Sequence, residues 1–378
     1  MWIYFVFRHE SRVIEEIVGK LFSKLNSIHS SVHKDLVGIK PRVEKMINSY
    51  LHIGLNDVHF IGIWGMGGMG KTTLAQVIYD RINLQFEGSS FIASVRGKSG
   101  DSLLVSLQKQ LLSDILIESN IDIRDIQWGM NVIKKRLCRK RVLIILDDVD
   151  QYAQLEALVG EQDWFGQGSR IIITTRNKHL LIQHKVPEAG IYKAKELNNN
   201  EALQLFYLKA FNRDSPSKDY VELSQEIIYY ANGLPLALKV LGSFLFGRSL
   251  EAWKSAIGRL KESPEREILD VLQISFDGLK EREKNIFLDI ACFFNKQRED
   301  YVANILRTLY ANPTIDMDVL KEKSLITISW PGKLDMHDLL QELGREIVRR
   351  DSPEELGQRS RLWLSEDIFH VLKYSEVS

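Results

Sequence analysis

Short apolar runs alternate with amphipathic segments through the first half of the chain. The segments carry apolar residues at helical spacing and predict helices at about 71–83, 102–117, 129–138, 151–159 and 177–184. The runs predict strands at 59–64, 91–95, 142–147, 170–175 and 191–194. Because runs such as Val-Leu-Ile-Ile-Leu do not alternate with polar residues, these strands are expected to be buried on both faces. The pattern predicts an α/β fold with a parallel sheet covered by helices.

The second half, after about residue 198, has a helical pattern with hardly a strand. Helices are predicted at 199–212, 217–231, 235–246, 250–260, 265–274, 282–293, 300–310 and 315–323. A strand at 324–329, a turn at Pro331-Gly332 and a strand at 333–335 precede a last helix near 338–350. The last helices and the two-stranded hairpin together predict a winged-helix domain.

The beginning of the chain is interpreted as a linker. Residues 11–30 have apolar positions at helical spacing, which predicts an amphipathic helix. The seven apolar residues 1–7 are too few to span a membrane. Residues 1–34 are therefore assigned to a linker helix and the remnant of an upstream domain. The pattern breaks at 37–41, and a helix is expected to restart after Pro41.

The charge balance argues against several classes of function. The 50 Lys and Arg residues equal the 50 Asp and Glu residues, so no net charge draws the chain towards nucleic acid or an anionic membrane. No stretch approaches the length of a membrane span, and we expect a soluble, cytoplasmic or nucleocytoplasmic protein. The two cysteines, Cys138 and Cys292, are too few for a disulfide framework.

A phosphate-binding motif joins the first predicted strand to the helix that follows it. Residues 65–72 fit the pattern G-x-x-x-x-G-K-[ST], whose glycines let backbone N–H groups point inward around phosphate oxygens. Lys71 is expected to reach the β- and γ-phosphates, Thr72 to bind Mg²⁺, and Thr73 to meet an α-phosphate oxygen. The loop residues expected around the phosphates are Gly65, Met66, Gly67, Gly68, Met69 and Gly70.

Two of the later strands end in polar residues that suit the same chemistry. One buried run leads into Asp147 and Asp148. We assign Asp147 to Mg²⁺ through water and Asp148 to activation of the attacking water. The alternative is that Asp148 or Asp150 caps the next helix. Another run leads into Arg176, which would sense the γ-phosphate at the carboxyl end of the sheet. The alternative for Arg176 is a loop arginine paired with a carboxylate.

The motifs together resemble the NB-ARC nucleotide-binding module of plant disease-resistance proteins of the TIR-NB-LRR kind. The resemblance covers about residues 35–375, and the motifs follow the family's order. Asp150 and the run FLDIACFF are typical of the TIR-associated branch. The motifs are GMGGMGKTT (65–73), FEGSSFIASVR (86–96), KRVLIILDDVD (140–150), GSRIIITTRNKHLL (168–181), YKAKELNNNEALQLFYLKAF (192–211), GLPLAL (233–238), FLDIACFF (287–294) and MHDLLQELGREIV (336–348).

The resemblance implies an architecture of three domains. A P-loop NTPase domain over 35–197 would contain five parallel strands in the order 5-1-4-3-2. A helical bundle would follow over 198–262, and a winged-helix domain over 263–378. In this strand order Arg176 lies beside the γ-phosphate, which supports its sensor role.

The resemblance also implies nucleotide contacts outside the P-loop. Pro235 would contact the adenine and ribose, Val37 and Ile39 would hold the adenine, and His337 would reach the β-phosphate of ADP. The residues by themselves also allow purely structural roles. Pro235 can merely begin a helix, and His337 can be a surface residue at a helix start capped by a neighbouring aspartate.

The resemblance implies that the protein is a nucleotide-dependent switch in plant innate immunity. The switch would be off when ADP is bound and on when ATP is bound, and it would hydrolyse ATP slowly. Two alternatives stay open: a turnover P-loop ATPase or kinase, and a nucleotide-regulated transcription regulator. We find no acceptor-substrate motif for the first. For the second, the candidate recognition helix near 315–323 has mixed charge, so we do not expect nucleic-acid binding.

The resemblance implies partners as well as the nucleotide with its Mg²⁺. A TIR domain would precede residue 1 and leucine-rich repeats would follow residue 378, and both would contact this module. Neither a complete TIR domain nor a repeat pattern is read in the chain. We also expect the ATP-bound form to associate with further copies of itself.

Overall fold

The computed structural model describes residues 36–118, 121–212, 216–262 and 266–375. The helix predicted over 11–30, and with it the assignment of residues 1–34, lies outside the described residues. Two compact units make up the described chain. The first contains residues 36–63, Thr72–Thr174 and His184–Tyr192, and the second contains Trp64–Lys71, Thr175–Gln183 and the residues from Lys193 onwards. The domain boundaries proposed at 197 and 262 stay predictions.

The sheet has five strands in the order β2-β3-β4-β1-β5, which confirms the predicted parallel α/β fold and its strand order. Every residue of β4 is buried, and seven of the eight residues of β3 are buried. Burial on both faces explains why these strands read as continuous apolar runs. The strands are β1 (His59–Trp64), β2 (Gly88–Ile92), β3 (Val142–Val149), β4 (Arg170–Thr175) and β5 (Ile191–Lys193).

The second strand begins and ends three residues earlier than the prediction of 91–95. Gly88, Ser89 and Ser90 look like turn residues in the sequence, but they pair with the first residues of β3. The Ser90 hydroxyl donates to the Asp114 carboxylate at 2.7 Å, which satisfies this polar side chain inside the sheet. Ser94 has a φ of 51°, a left-handed conformation that ends the extended chain.

Within the described residues, six α-helices accompany the sheet. The first begins at Ile39, two residues before Pro41, and so earlier than the predicted restart after that proline. Proline suits the first turn of a helix because the N–H that it lacks would have no partner there. The helices are α1 (Ile39–Met46), α2 (Lys71–Ile82), α3 (Asp101–Leu116), α4 (Ile126–Leu137), α5 (Tyr152–Val159) and α6 (Lys178–Gln183).

The rest of the described chain is helical apart from one antiparallel hairpin, as the sequence pattern predicts. A π-helical turn, Ile290–Phe294, continues α12, and the winged-helix prediction is confirmed. The elements are α7 (Asn199–Ala210), α8 (Lys218–Ala231), α9 (Pro235–Leu245), α10 (Leu250–Glu262), α11 (Arg266–Asp277), α12 (Glu281–Asp289), α13 (Glu299–Leu309), α14 (Thr314–Glu322), β6 (Thr327–Ser329), β7 (Lys333–Asp335), α15 (Asp338–Asp351) and α16 (Ser365–Ser375).

Two details of this half differ from the prediction. The strand expected at 324–329 is shorter, because residues 324–326 form the turn that follows α14. Ser324 has a φ of 57°, and the N–H groups of Leu325 and Ile326 both donate to Leu320 O. The sequence pattern does not predict helix α16. None of the helices within the described ranges combines the length and apolar content that a membrane span requires.

The core leaves polar side chains buried at one edge of the sheet. Most fully buried residues of β3 and β4 are Val, Ile and Leu, and each contributes about 1.5–3 kcal/mol by leaving water. The exceptions are Arg170, at the start of β4, and three residues at the carboxyl ends of these strands, Asp147, Thr174 and Thr175, which are at most 3% exposed. Buried polar groups need partners, and these partners define the site.

Candidate nucleotide-binding site

The phosphate loop has the curled backbone that its sequence predicts. Gly65, Gly68 and Gly70 have φ values of 152°, 79° and 81°, which other residues rarely adopt. A Cβ atom at Gly68 would lie 2.8 Å from the Leu236 Cβ, so a side chain does not fit there. The loop therefore needs glycine for its conformation and, at Gly68, also for space.

The Lys71 side chain lies inside this loop. It is 7% exposed, and its Nζ donates to Gly65 O and Met66 O, both at 2.8 Å. A buried ammonium next to a glycine-rich backbone is a suitable site for phosphate oxygens. Met66, Gly67 and Met69 complete the loop, and Met66 and Met69 are buried.

In the first unit, Thr72 and Asp147 meet directly. The Thr72 hydroxyl donates to Asp147 Oδ1 at 2.9 Å, and the Thr174 hydroxyl donates to the same oxygen at 2.7 Å. A hydroxyl and a carboxylate are suitable oxygen ligands for Mg²⁺, so these residues fit the predicted metal site. Thr73 follows in α2 and is half-buried.

The ion would need further ligands besides this pair. Among the described residues, no group of three or more His, Cys, Asp and Glu side chains is arranged to hold a metal ion. Mg²⁺ usually keeps several waters and binds through one or two protein groups and substrate phosphates. The small donor set is therefore compatible with magnesium that arrives with a nucleotide.

Asp148 is held by an arginine that the sequence reading did not assign. Arg96 Nε donates to Asp148 Oδ2 at 2.7 Å, and its NH2 donates to Asp148 Oδ1 at 3.0 Å. Burial acts to lower the pKa of Arg96, but the hydrogen bond to Asp148 and the charges of Asp148 and Asp150 raise it above its usual range. The predicted water-activating role of Asp148 stays a prediction. Neither Asp148 nor Asp150 is the cap of α5, which begins after Gln151.

Arg176 follows the last residue of β4 and belongs to the second unit. Its NH1 donates to the Ser275 hydroxyl at 3.3 Å. Ser275 lies near the end of α11 and is 9% exposed. The sensor role of Arg176 and its alternative, a pairing with a carboxylate, both stay predictions.

A cavity of about 750 Å³ lies within the second unit. Gly65, Met66 and Met69 of the phosphate loop line it, together with Gly233 and His337. Gly65 and His337, which are 272 positions apart in the sequence, thus line one cavity. Its volume falls within the range typical of small-molecule sites.

His337 is the N-cap residue of α15, and both of its ring nitrogens face partners. Leu339 N donates to Nδ1 at 3.2 Å, so the neutral ring carries its proton on Nε2 and donates to Asn232 O at 3.3 Å. Burial lowers the pKa of His337 below its ordinary value, although nearby carboxylates, with Asp338 first, oppose this shift. The histidine therefore caps its helix and also lines the cavity.

The turn that contains Pro235 touches the phosphate loop. Leu236 N donates to Gly68 O at 3.2 Å, and Pro235 is the first residue of α9. Val37 and Ile39 belong to the first unit, where Val37 lies in a turn and Ile39 begins α1. The adenine contacts assigned to these three residues stay predictions.

Two domain families match this sequence. The NB-ARC domain matches residues 39–216, and the winged-helix domain described as disease resistance protein Roq1-like matches residues 280–352. Among solved structures, the Walker-type ATPase PABY2304 of Pyrococcus abyssi superposes with a TM-score of 0.52 and 14% identity, over 82% of this chain and 97% of that one. This likeness supports the fold.

The most similar full proteins include plant resistance proteins. The chain is 44% identical to the disease resistance protein RUN1 of Vitis rotundifolia over 356 residues, which are 94% of this chain and 26% of that protein. It is 42% identical to the TMV resistance protein N of Nicotiana glutinosa over 367 residues, 95% of this chain and 31% of that protein. The chain thus spans about a quarter to a third of the length of these curated relatives. It carries an NB-ARC domain followed by a winged-helix domain of the Roq1-like family.

Proposed function

We propose that this chain is an adenine-nucleotide-dependent switch in plant defence signalling. ADP holds a closed form, ATP favours an open form, and ATP hydrolysis is slow. The similarity to resistance proteins supports the defence role. The glycine-rich loop with the buried Lys71 supports nucleotide binding.

The observation that carries the switch is the shared cavity. The phosphate loop and His337 line the same space in the second unit. A ligand shifts a conformational balance only through contacts that differ between the two states. A histidine on the β-phosphate is such a contact, because it breaks when the winged-helix domain moves away.

Magnesium would accompany the nucleotide. Thr72 and Asp147 would hold the ion, partly through water, and its charge would neutralise the phosphate oxygens. Pro235, Val37 and Ile39 would surround the adenine and ribose. Arg176 would leave Ser275 to meet the γ-phosphate.

The whole protein would add further contacts. We propose that an upstream TIR domain and downstream leucine-rich repeats pack against this module in the cytoplasm. We also propose that the ATP-bound form self-associates. In the whole protein, the nucleotide bound to this chain would then determine how the domains are arranged.

The proposal is tested by titrating the purified chain with ADP and ATP in a calorimeter, with and without Mg²⁺. We expect one nucleotide per chain, and Mg²⁺ should tighten ATP binding. Asp147→Asn should remove most of the Mg²⁺ effect, while Asp163→Asn, an exposed partner of Lys134, should keep it. A chain that binds neither nucleotide would contradict the proposal.

A further inference from the structure

The start of α9 packs directly on the phosphate loop. Leu236 N donates to Gly68 O at 3.2 Å, and a Cβ atom at Gly68 would lie 2.8 Å from the Leu236 Cβ. The two backbones can approach this closely because residue 68 has no side chain. Both segments belong to the second unit. A hydrogen bond and close packing therefore join the loop to α9.

The turn that presents Leu236 is fixed by contacts on its other side. Leu234 is fully buried. Leu197 N donates to Gly233 O at 2.9 Å, which ties the turn to the segment before α7. Pro235 has a restricted φ and suits the first position of a helix. The surrounding fold therefore determines where the Leu236 N–H lies.

This N–H can serve the loop because of its place in the helix. The first four N–H groups of an α-helix have no partner within the helix. Leu236 is the second residue of α9, so its N–H needs an acceptor from outside. The carbonyl oxygen of Gly68 is that acceptor.

The contact sets the orientation of one peptide group in the loop. The peptide bond between Gly68 and Met69 is trans, so its C=O and N–H groups point in opposite directions. Because the C=O faces Leu236 N, the N–H of Met69 points away from α9. Lys71 fixes two earlier carbonyl groups of the loop in a similar way, at 2.8 Å each.

We infer that Leu236 is a positioning residue of the nucleotide site, because its N–H holds the peptide group that presents the Met69 N–H to a phosphate oxygen. The inference rests on the proposed function. Gly68 has a φ of 79° and, as a glycine, could adopt many other conformations. The N–H groups of such a loop bind phosphate oxygens. A peptide group that is already oriented loses less conformational freedom when the phosphate binds.

The same hydrogen bond couples the phosphate to α9. A phosphate on the Met69 N–H favours the orientation in which Gly68 O faces α9, and it thereby favours the present position of this helix. The coupling is reciprocal, so α9 in this position strengthens phosphate binding by the same factor. A movement of α9 away from the loop would weaken the binding of the nucleotide. The switch would thus have a second connection to the nucleotide besides His337.

The test removes this one N–H in the full chain. Incorporating the α-hydroxy analogue of leucine at position 236 turns the amide into an ester, which has no N–H and keeps the side chain. We expect the ADP affinity in calorimetry to fall roughly 2- to 10-fold, as for the loss of one hydrogen bond. The affinity for adenosine, which has no phosphate, should stay unchanged. The same replacement at Leu250, the first residue of α10, is the matched control and should change neither affinity.

Two further measurements separate the N–H from the packing of the side chain. Leu236→Ala keeps the N–H, and its ADP affinity should stay within about 2-fold of the wild type. In the wild-type chain, ADP should slow hydrogen exchange of the Leu236 N–H, and adenosine should not. If the ester does not fold, this exchange measurement decides.

Four results would overturn the inference and leave the proposed function standing. They are an unchanged ADP affinity in the ester, an equal loss for ADP and adenosine, a loss in Leu236→Ala as large as in the ester, and equal exchange of the Leu236 N–H with and without ADP. A wild-type chain that binds no ADP would overturn the proposed function and the inference together.

Discussion

The His337 ring donates from Nε2 to the main-chain oxygen of Asn232, 3.3 Å away. Asn232 ends α8 with a φ of 45°, a left-handed conformation that asparagine tolerates well. The Asn232 side-chain amide also donates to Asp338 Oδ2 at 3.2 Å. Two hydrogen bonds therefore hold the end of α8 to the start of α15, beside the cavity that the phosphate loop lines.

Removing one of these hydrogen bonds should weaken the binding of ADP. Asp338→Val leaves Asn232 without its side-chain partner, and we expect the ADP dissociation rate to rise. A hydrogen bond contributes about 0.5–1.5 kcal/mol net, which corresponds to about 2- to 10-fold. The measurement is stopped-flow release of a fluorescent ADP analogue. Asp270→Val, at an exposed position of α11, is the control, and equal rates in both variants would count against the role of Asp338.

Nucleotide binding should depend on the shape of the Lys71 head group. Lys71→Arg keeps the charge, but the planar guanidinium is larger than the ammonium that lies 2.8 Å from Gly65 O and Met66 O. We expect ADP binding to be abolished in calorimetry. Lys135→Arg, at an exposed position of α4, should bind like the wild type. Unchanged ADP affinity in Lys71→Arg would refute the assignment of the phosphate loop.

The turn before α9 should not accept a side chain. Gly233 has a φ of 73°, and a Cβ atom there would lie 2.5 Å from Leu197 O. Gly233→Ala should lower the free energy of unfolding by about 1–3 kcal/mol. Gly258→Ala is the matched control, because it lies in α10 with open space around it. This control should gain about 0.5–1 kcal/mol. Chemical denaturation measures both.

Stability should fall in mild acid, in part through His337. The folded ring has a pKa below its ordinary 6.5 because burial disfavours the charged form. Between the folded and unfolded pKa values the unfolded chain binds more protons, so acidification favours unfolding. His337→Gln should therefore lose less stability than the wild type between pH 7 and 5. The difference should be under about 1 kcal/mol, since the ring is partly exposed. Identical pH profiles would contradict the burial effect.

The apolar runs of the sequence predict the sheet well because its central strands are buried on both faces. The bounds of β1 and β4 agree residue for residue with the predicted runs. Hydrophobic periodicity does not predict the bounds of a strand where contacts with a neighbouring strand determine them. Gly88 and Ser89 enter β2 only because β3 lies beside them, and no local signal reveals this. The strand order comes from the family resemblance, since a single sequence carries no pairing information.

The sequence predicts those parts of the candidate site that lie within a single continuous motif. The loop up to Lys71 and the acid at Asp147 follow from one strand–loop–helix pattern and one strand end. The sequence does not identify Arg96 and Asn232 as site residues, because their partners are distant along the chain. Arg96 lies 52 positions from Asp148, and Asn232 lies 105 positions from His337. Arg96 ends the motif FEGSSFIASVR, but neither this motif nor the segment around Asn232 shows which residue these two side chains would meet.

The measurement that tests the switch most directly is the ADP dissociation rate of His337→Ala, together with the ratio of ADP to ATP that the purified chain carries. A charge-assisted hydrogen bond of about 1.5–3 kcal/mol to the β-phosphate predicts a rise of roughly 10- to 150-fold in the rate and a shift of the ratio towards ATP. His370→Ala, at an exposed position of α16, should change neither quantity. If neither quantity changes in His337→Ala while its fold stays intact, His337 is only a helix cap, and the winged-helix domain does not sense the nucleotide through it.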